Sequence, residues 1–302
     1  MRTPCVSSAI GLVYKTEKIG FLVKNRYGGA MTKTYHFMAG LPRSGSTVLS
    51  AILNQNPEVY SSPQTDLLGM LYELERNIPS YESYRAKLML PNFASVLYGM
   101  ANNFYGPIDK PVVIDKNRGW GTPYNWDNLS LYVNPDGKVI LTMRPILEVL
   151  ASFIKVAQKT HKATASMPYL NDNLWATHYR DVTDAQVDNI MAANGEMDRA
   201  IFSIANLIKN HRDKVYVVWF DDLLDRPQAT MDGIYDFLGL DSFDHNFNNI
   251  KAVDNHDDFS GYGILGLHDV NKKLARPKTD TSEFLSDYVV QKYGNALDFL
   301  NF

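Results

Sequence analysis

Short apolar runs alternate along this chain with longer amphipathic stretches. The length and continuous hydrophobicity of these runs predict strands buried on both faces, over 35–39, 111–115, 138–143 and 214–220. Helical spacing of apolar positions between them predicts helices over 46–55, 66–76, 81–104, 145–160, 184–211 and 227–238, with a last helix near 281–299. Strands that alternate with helices predict an α/β fold of three layers, in which helices flank a mainly parallel central sheet.

Composition narrows the class of protein. The 302 residues are 45% hydrophobic and 21% charged, which suits one large globular domain, expected over 31–302. Residues 1–30 are expected to form a peripheral or disordered extension. The net charge of −3 argues against a nucleic-acid partner, since binding to a phosphate backbone favours a basic surface. No apolar stretch reaches the ~20 residues of a membrane span. The single cysteine, Cys5, fits a reducing, cytoplasmic location.

The segment Gly40–Thr47 carries the strongest functional signal. It lies between a predicted strand and a predicted helix, so its backbone N–H groups can surround a phosphate at the helix N-terminus. Its spacing is that of a G-x-x-x-x-G-K-[ST] phosphate loop, but Ser46 stands at the lysine position. A tight turn with a helix cap is the alternative interpretation. The missing lysine argues against ordinary nucleotide hydrolysis.

The string Pro-Arg-Ser-Gly-Ser-Thr, followed by Asn56-Pro57 after the helix, resembles the sulfotransferases that use 3′-phosphoadenosine-5′-phosphosulfate (PAPS). This resemblance implies a P-loop NTPase-like fold. It also implies a set of residues that hold the 5′-phosphosulfate: Arg43, Ser44, Gly45, Ser46 and Thr47.

A second motif strengthens the resemblance. Arg144 follows the predicted strand 138–143, and Ser152 lies eight residues later on the next helix. In the family such a pair binds the 3′-phosphate of PAPS, and arginine suits bidentate phosphate recognition. A third, supporting block ends in Phe-Leu-Gly-Leu at 237–240, so the resemblance covers about 35–240 in separated blocks.

The catalytic residues are less clearly marked. By resemblance, Lys116 after the second predicted strand would stabilise charge on the transferring sulfuryl group; a solvated lysine is the alternative. The family's glutamate and histidine bases would fall on Gln64 and Arg118, which do not serve as bases. Asp66, otherwise a helix-start carboxylate, and His268 are the substitute candidates.

A long irregular segment, 241–280, contains a basic cluster in this slightly acidic protein. Lys272, Lys273 and Arg276 are candidates to close over the nucleotide, although the composition alone favours a solvated loop. Trp120, Tyr124 and Trp126 either line an acceptor pocket or pack in the core.

The sequence therefore predicts a PAPS-dependent sulfotransferase that transfers a sulfuryl group to a hydroxyl or amine and releases PAP. PAPS is the expected co-substrate, and no metal is expected. The acceptor stays open among glycan, lipid, metabolite and peptide, and so does the oligomeric state. The alternatives are a P-loop kinase or NTPase, with Asp115 as a Mg²⁺-binding carboxylate, and a catalytically inactive nucleotide-binding protein.

Overall fold

The computed structural model describes residues 33–164, 183–193, 195, 197–253, 257–263, 265–277 and 280–300. A five-stranded sheet lies at its centre. The strands are β1 (Thr34–Gly40), β2 (Val59–Gln64), β3 (Val112–Lys116), β4 (Val139–Met143) and β5 (Val215–Trp219). Neighbouring strands are parallel throughout, in the order β2-β3-β1-β4-β5. The predicted α/β fold with a parallel sheet is confirmed.

The strand order reverses at β1. From β1 the chain builds β2 and β3 on one side, then crosses over to build β4 and β5 on the other. Such a reversal opens a crevice beyond the carboxyl ends of the strands, where α/β proteins bind ligands. The register sets Met38 beside Lys116 and Gly40 beside Thr142, so the ends of β1, β3 and β4 meet at this crevice.

Helices cover both faces of the sheet. They are α1 (Ser46–Leu53), α2 (Leu67–Asn77), α3 (Glu82–Arg85), α4 (Leu90–Phe104), α5 (Pro123–Asn128), α6 (Ile146–Thr164), α7 (Thr183–Met191), α8 (Asp198–Asn210), α9 (Phe220–Asp225), α10 (Pro227–Leu238), α11 (Asp258–Tyr262) and α12 (Asp287–Tyr293). Single helical turns occupy Ile78–Ser80, Leu129–Val133, Arg212–Lys214, Thr281–Glu283 and Asp298–Leu300.

Two hydrophobic clusters, one on each face, hold the layers together. In β1, Phe37 faces the cluster that includes Leu207 of α8, whereas the adjacent Met38 faces the cluster that includes Ile52 of α1 and Met231 of α10. All five side chains are fully buried. This alternation on a strand buried on both sides confirms the three-layer arrangement.

Several predicted boundaries differ from the structure. Strand β2 was not predicted, because its sequence Val-Tyr-Ser-Ser-Pro-Gln is largely polar and contains a proline, which only an edge strand tolerates. The predicted helix 81–104 is two helices, α3 and α4, because Lys87 and Met89 adopt positive φ and Pro91 occupies the first turn of α4. The predicted helix 184–211 is likewise α7 and α8, and only 287–293 of the last predicted helix is α-helical.

None of the described helices combines the length and the apolar character needed to cross a membrane. The predicted N-terminal extension, 1–30, lies outside the described residues.

Candidate functional site

A glycine-bounded loop joins β1 to α1 and forms one wall of a cleft at the carboxyl edge of the sheet. Gly40 has φ +134°, and a side chain there would meet the carbonyl oxygen of Thr142 at 2.2 Å. Gly45 has φ +90°, and a side chain there would collide with the Phe220 ring at 2.4 Å. Both positions therefore require glycine, for backbone conformation and for space. The loop leads into the first turn of α1, whose unpaired N–H groups suit an anion.

The Ser44 side chain points away from this cleft. Its hydroxyl lies 2.5 Å from the carbonyl oxygen of Leu41 and 2.7 Å from Oγ1 of Thr142, and the residue is buried. These hydrogen bonds close the loop and fasten it to β4. The predicted contribution of Ser44 to phosphate binding is thus restricted to its backbone, whereas Ser46 and Thr47 line the cleft.

Arg43 links the loop to two other parts of the protein. It adopts positive φ (+59°), and its Nε donates a hydrogen bond to Oγ of Ser152 over 3.1 Å. Its Nη1 donates to the backbone carbonyl of Leu267. Burial, followed by repulsion from Arg144 and Arg118, lowers the pKa of Arg43 to about 10, so it stays charged at neutral pH. The loop, α6 and the segment around Leu267 are therefore joined through one guanidinium.

Arg144 is held in place at the end of β4. Its Nε lies 3.0 Å from a carboxylate oxygen of Glu148, and its Nη1 donates to the carbonyl oxygen of Arg43 over 3.2 Å. The guanidinium carbon lies 5.0 Å from the centre of the Phe220 ring. These contacts fix the plane of a buried guanidinium that lines the same cleft as Ser152, its predicted partner.

Lys116, the last residue of β3, reaches toward the start of α1. Its Nζ lies 3.4 Å from Oγ1 of Thr47. Burial, with added repulsion from Arg118, lowers the pKa of Lys116 to about 8. An anion bound in the cleft would stabilise the charged form of Lys116 and so oppose this shift.

Asp115 precedes Lys116 but faces the opposite side of the sheet. Its carboxylate accepts hydrogen bonds from Nε1 of Trp120 over 2.7 Å, from Oγ1 of Thr65 over 2.7 Å, and from the Tyr105 hydroxyl. The side chain is fully buried, and burial raises its pKa. It is a hydrogen-bonded part of the core and does not line the cleft.

The cleft, which we call the donor cleft, has a volume of about 340 Å³. Cationic side chains dominate its wall: Arg43, Lys116, Arg118, Arg144, Lys155 and Lys159. Among the described residues of this lining, Asp269 is the one carboxylate. Concentrated positive charge beside a helix N-terminus favours a ligand with several negative charges.

The segment 265–269 covers one side of the donor cleft. The backbone N–H of Leu265 donates to Oγ1 of Thr160 on α6 over 3.0 Å. His268 Nδ1 lies 2.5 Å from one carboxylate oxygen of Asp258, and its backbone N–H donates to the other over 2.8 Å. Both side chains are more than nine-tenths buried. His268 therefore reaches the donor cleft as half of a fixed histidine–aspartate pair.

The three predicted basic candidates of the 241–280 segment do not line the donor cleft. Lys272, Lys273 and Arg276 are exposed and are absent from its lining. Arg276 forms ion pairs with Asp221 and Asp225 on α9. The two carboxylates of α9 thus bind the Arg276 guanidinium at the surface, outside the lining of the donor cleft.

A second cleft, which we call the acceptor cleft, adjoins the donor cleft and shares Gln64 and Arg118 with it. It has a volume of about 780 Å³ and includes Asp66 and Tyr124 in its lining. Asp66 precedes α2, and its side chain makes no capping hydrogen bond. Trp120 and Trp126, in contrast, are buried in the core. Of the three aromatic residues that were predicted either to line a pocket or to pack in the core, Tyr124 lines the cleft and the two tryptophans pack in the core.

Comparison with known proteins agrees with this geometry. The family model described as "Sulfotransferase family" matches residues 36–245, more than half of the chain. The chain belongs to the sulfotransferase family. Among curated protein sequences, none matches it.

Solved structures of sulfotransferases resemble this family member at low identity. The sulfotransferase domain of the Synechococcus PCC 7002 olefin synthase is 20% identical, with 84% of this chain and 94% of that one covered and a TM-score of 0.42. The sulfotransferase domain of the curacin biosynthetic pathway is 15% identical, with coverage of 89% and 92% and a TM-score of 0.42. Sulfotransferase STF9 from Mycobacterium avium is 12% identical, with coverage of 97% and 81% and a TM-score of 0.46.

Two lysines of the donor cleft were not predicted. Lys155 and Lys159 lie three and seven residues after Ser152 on α6, which places all three on one helical face. That spacing was readable in the sequence once Ser152 had been chosen. Lys159 also lies 3.8 Å from Asp269, an exposed pair that ties α6 to segment 265–269 of this family member.

Proposed function

We propose that this protein transfers a sulfuryl group from PAPS to an acceptor hydroxyl or amine and releases PAP. The observation that carries the proposal is the donor cleft, in which the described residues place six cationic side chains and one carboxylate around the loop Gly40–Thr47. PAPS bears phosphate at two positions, so it complements cations that approach from both the loop and α6. Bound PAPS would supply the sulfuryl group itself.

The donor-binding residues divide into two groups. The backbone N–H groups of the loop, with Ser46, Thr47 and Arg43, would hold the 5′-phosphosulfate. Arg144 and Ser152 would hold the 3′-phosphate, and we add Lys155 and Lys159 to this second group because they share a helix face with Ser152.

Lys116 would stabilise the negative charge that develops as the sulfuryl group leaves its phosphate. Its ammonium group lies beside Thr47, at the end of the cleft that the loop Gly40–Thr47 forms. For removal of the acceptor proton, Asp66 and His268 remain the candidates. Asp66 lines the acceptor cleft and His268 the donor cleft, so Asp66→Asn and His268→Asn separate them by their effect on kcat.

The orientation of Asp115 argues against the alternative function, a P-loop kinase or NTPase that binds Mg²⁺ through this carboxylate. A Mg²⁺-binding carboxylate would have to face the nucleotide, but Asp115 faces the core and accepts hydrogen bonds from Trp120, Thr65 and Tyr105. The inactive nucleotide-binding protein would keep the donor cleft and lack transfer, so an activity assay separates it from the enzyme. A cytoplasmic location, suggested by the single cysteine, belongs to the proposal as well.

The test is calorimetric titration with PAP and with ATP, each with and without EDTA. We expect PAP to bind at least tenfold more tightly than ATP and to be indifferent to EDTA. Sulfate transfer from ³⁵S-labelled PAPS to a broad acceptor panel then separates an enzyme from a binding protein. ATP binding that depends on Mg²⁺, together with no affinity for PAP, would refute the proposal.

A further inference from the structure

The two clefts differ in charge. Among the residues that the structure describes, the donor cleft is lined mainly by cations, whereas the acceptor cleft is lined by three carboxylates, Asp66, Glu73 and Asp198, and by two arginines, Arg118 and Arg199. Arg118 lies at the junction, where its charge adds to the effect of burial in lowering the pKa values of Lys116 and Arg43. Away from that junction, the described part of the acceptor cleft carries three carboxylates and one arginine, Arg199. Since like charges disfavour binding, this wall selects against an anionic acceptor.

The junction of the clefts lies next to the proposed reacting group. Gln64, which lines both clefts, ends β2 and is paired in register with Lys116 of β3. A molecule in the acceptor cleft would therefore present its nearest group to the space beside the Lys116 side chain. The acceptor cleft is thus the approach by which a nucleophile reaches the donor.

Three polar side chains of the acceptor cleft wall, Asn117, Thr122 and Asn125, are hydrogen-bonded to backbone carbonyl oxygens. Asn117 Nδ2 donates to the carbonyl oxygen of Thr65 over 2.9 Å, and Asn125 Nδ2 donates to that of Gly119 over 2.8 Å. The Thr122 hydroxyl donates to the same Gly119 carbonyl over 3.1 Å. These bonds fix the orientation of each group. An amide has a second N–H, and a hydroxyl oxygen still accepts, so the oriented groups offer directional hydrogen bonds to a ligand at low entropic cost.

Aromatic surface completes the wall. Tyr72 and Tyr124 meet edge to face, with ring centres 5.3 Å apart and planes at 76°. Both line the acceptor cleft, and each combines an apolar ring face with a hydroxyl. Carboxylates, amides and tyrosine rings together suit a ligand that has many hydroxyl groups and C–H faces between them.

We propose that the acceptor is a carbohydrate-like polyol without anionic groups, bound in the acceptor cleft. This inference rests on the proposed sulfuryl transfer. In that reaction an acceptor hydroxyl oxygen forms a bond to sulfur and the bond from sulfur to the 5′-phosphate oxygen breaks. The phosphate oxygen keeps the electron pair, and the general base, for which Asp66 and His268 are the candidates, takes the hydroxyl proton. A volume of about 780 Å³ accommodates more than one sugar ring.

The experiment uses the full chain saturated with PAP on a printed array of neutral, amino-sugar, uronate and sialylated glycans. A ³⁵S transfer assay with PAPS follows, with 4-nitrophenol and cadaverine as non-carbohydrate probes. We expect binding and transfer to favour neutral or amino sugars at least tenfold over uronate counterparts. Preference for anionic glycans, for the phenol or for the diamine would overturn the inference. So would a protein that binds PAP but neither binds nor sulfates any uncharged glycan.

Two variants connect the result to the acceptor cleft. Tyr124→Ala should raise the KM of a neutral disaccharide about 3- to 12-fold, and Glu73→Lys should improve the relative use of a uronate about 3- to 10-fold. Asp241→Lys, an exposed change outside both clefts, is the control and should do neither. The Kd of PAP should stay within about twofold for all three variants. Loss of PAP binding by the unmodified protein would instead refute the donor proposal, so the two failures are distinguishable.

Discussion

Replacing Arg144 with alanine tests whether this side chain recognises a 3′-phosphate. The matched ligands are PAP and 5′-AMP, which differ only in that phosphate. Within the protein, Arg144 uses Nε for Glu148 and Nη1 for the carbonyl oxygen of Arg43. A guanidinium has five N–H donors, so others remain to bind a phosphate in the cleft.

The expected magnitude has two parts. Loss of the hydrogen bond to Arg43 loosens the phosphate loop and weakens both ligands alike, by about 0.5–1.5 kcal/mol. Loss of a charge-assisted hydrogen bond to the 3′-phosphate weakens PAP alone, by about 1.5–3 kcal/mol. Since each 1.4 kcal/mol is about tenfold, the Kd of PAP should rise about 10- to 150-fold more than that of 5′-AMP.

Competitive displacement of a fluorescent nucleotide measures both constants on one preparation. Arg226→Ala is the control, because that guanidinium is 70% exposed, pairs with Asp222 and lies outside both clefts. It should leave both constants unchanged. Weakening of PAP and 5′-AMP by the same factor, within about twofold, would refute the assignment of Arg144 to the 3′-phosphate.

Substitutions of Lys116, Lys155 and Gly45 provide further tests of the donor cleft. Lys116→Met should lower kcat about 100-fold or more. In the unmodified protein, kcat/KM should fall as the pH rises through about 8, because Lys116 loses its proton there. Lys116→Arg should abolish that fall, because arginine stays protonated. Lys155→Met should weaken PAP about 3- to 10-fold more than 5′-AMP in the same displacement assay, and an equal effect on both would exclude a role at the 3′-phosphate. Gly45→Ala should destabilise the fold by about 1–3 kcal/mol in thermal unfolding, because its side chain would strike Phe220, whereas Gly69→Ala, with open space around it, should not destabilise. An unfolding temperature unchanged by Gly45→Ala would contradict the loop geometry.

The sequence predicted the parts of the site that depend on local spacing. A strand, a glycine-bounded loop and a helix follow one another directly, and Arg144 and Ser152 lie eight residues apart on a strand end and a helix. Such elements are specified within one stretch of chain, and parallel strands necessarily bring their carboxyl ends to one edge. The fold class followed from the same alternation of strands and helices.

The parts that were missed depend on tertiary structure. Strand β2 is identified by its pairing with β3 rather than by hydrophobicity, since its sequence is mainly polar. The direction of Asp115 depends on which of the two helical layers its face of β3 meets, and a single-residue change of register would exchange it with Lys116. The position of Arg276 was set by carboxylates more than 50 residues away in sequence.

Under the proposed function, Lys116 would supply the cation that the phosphate loop lacks. Ser46 stands where a phosphate loop carries a cation, but the Lys116 ammonium reaches the same helix start from the neighbouring strand, 3.4 Å from Thr47. That placement depends on the register of β3 against β1, so the charge is fixed by the sheet rather than by the loop. A buried cation beside a helix N-terminus is unfavourable on its own, which agrees with its lowered pKa of about 8. A polyanionic ligand would offset the cost of burying this charge. Because the sheet already holds the ammonium in place, little rearrangement would be needed for the ligand to be attracted to it.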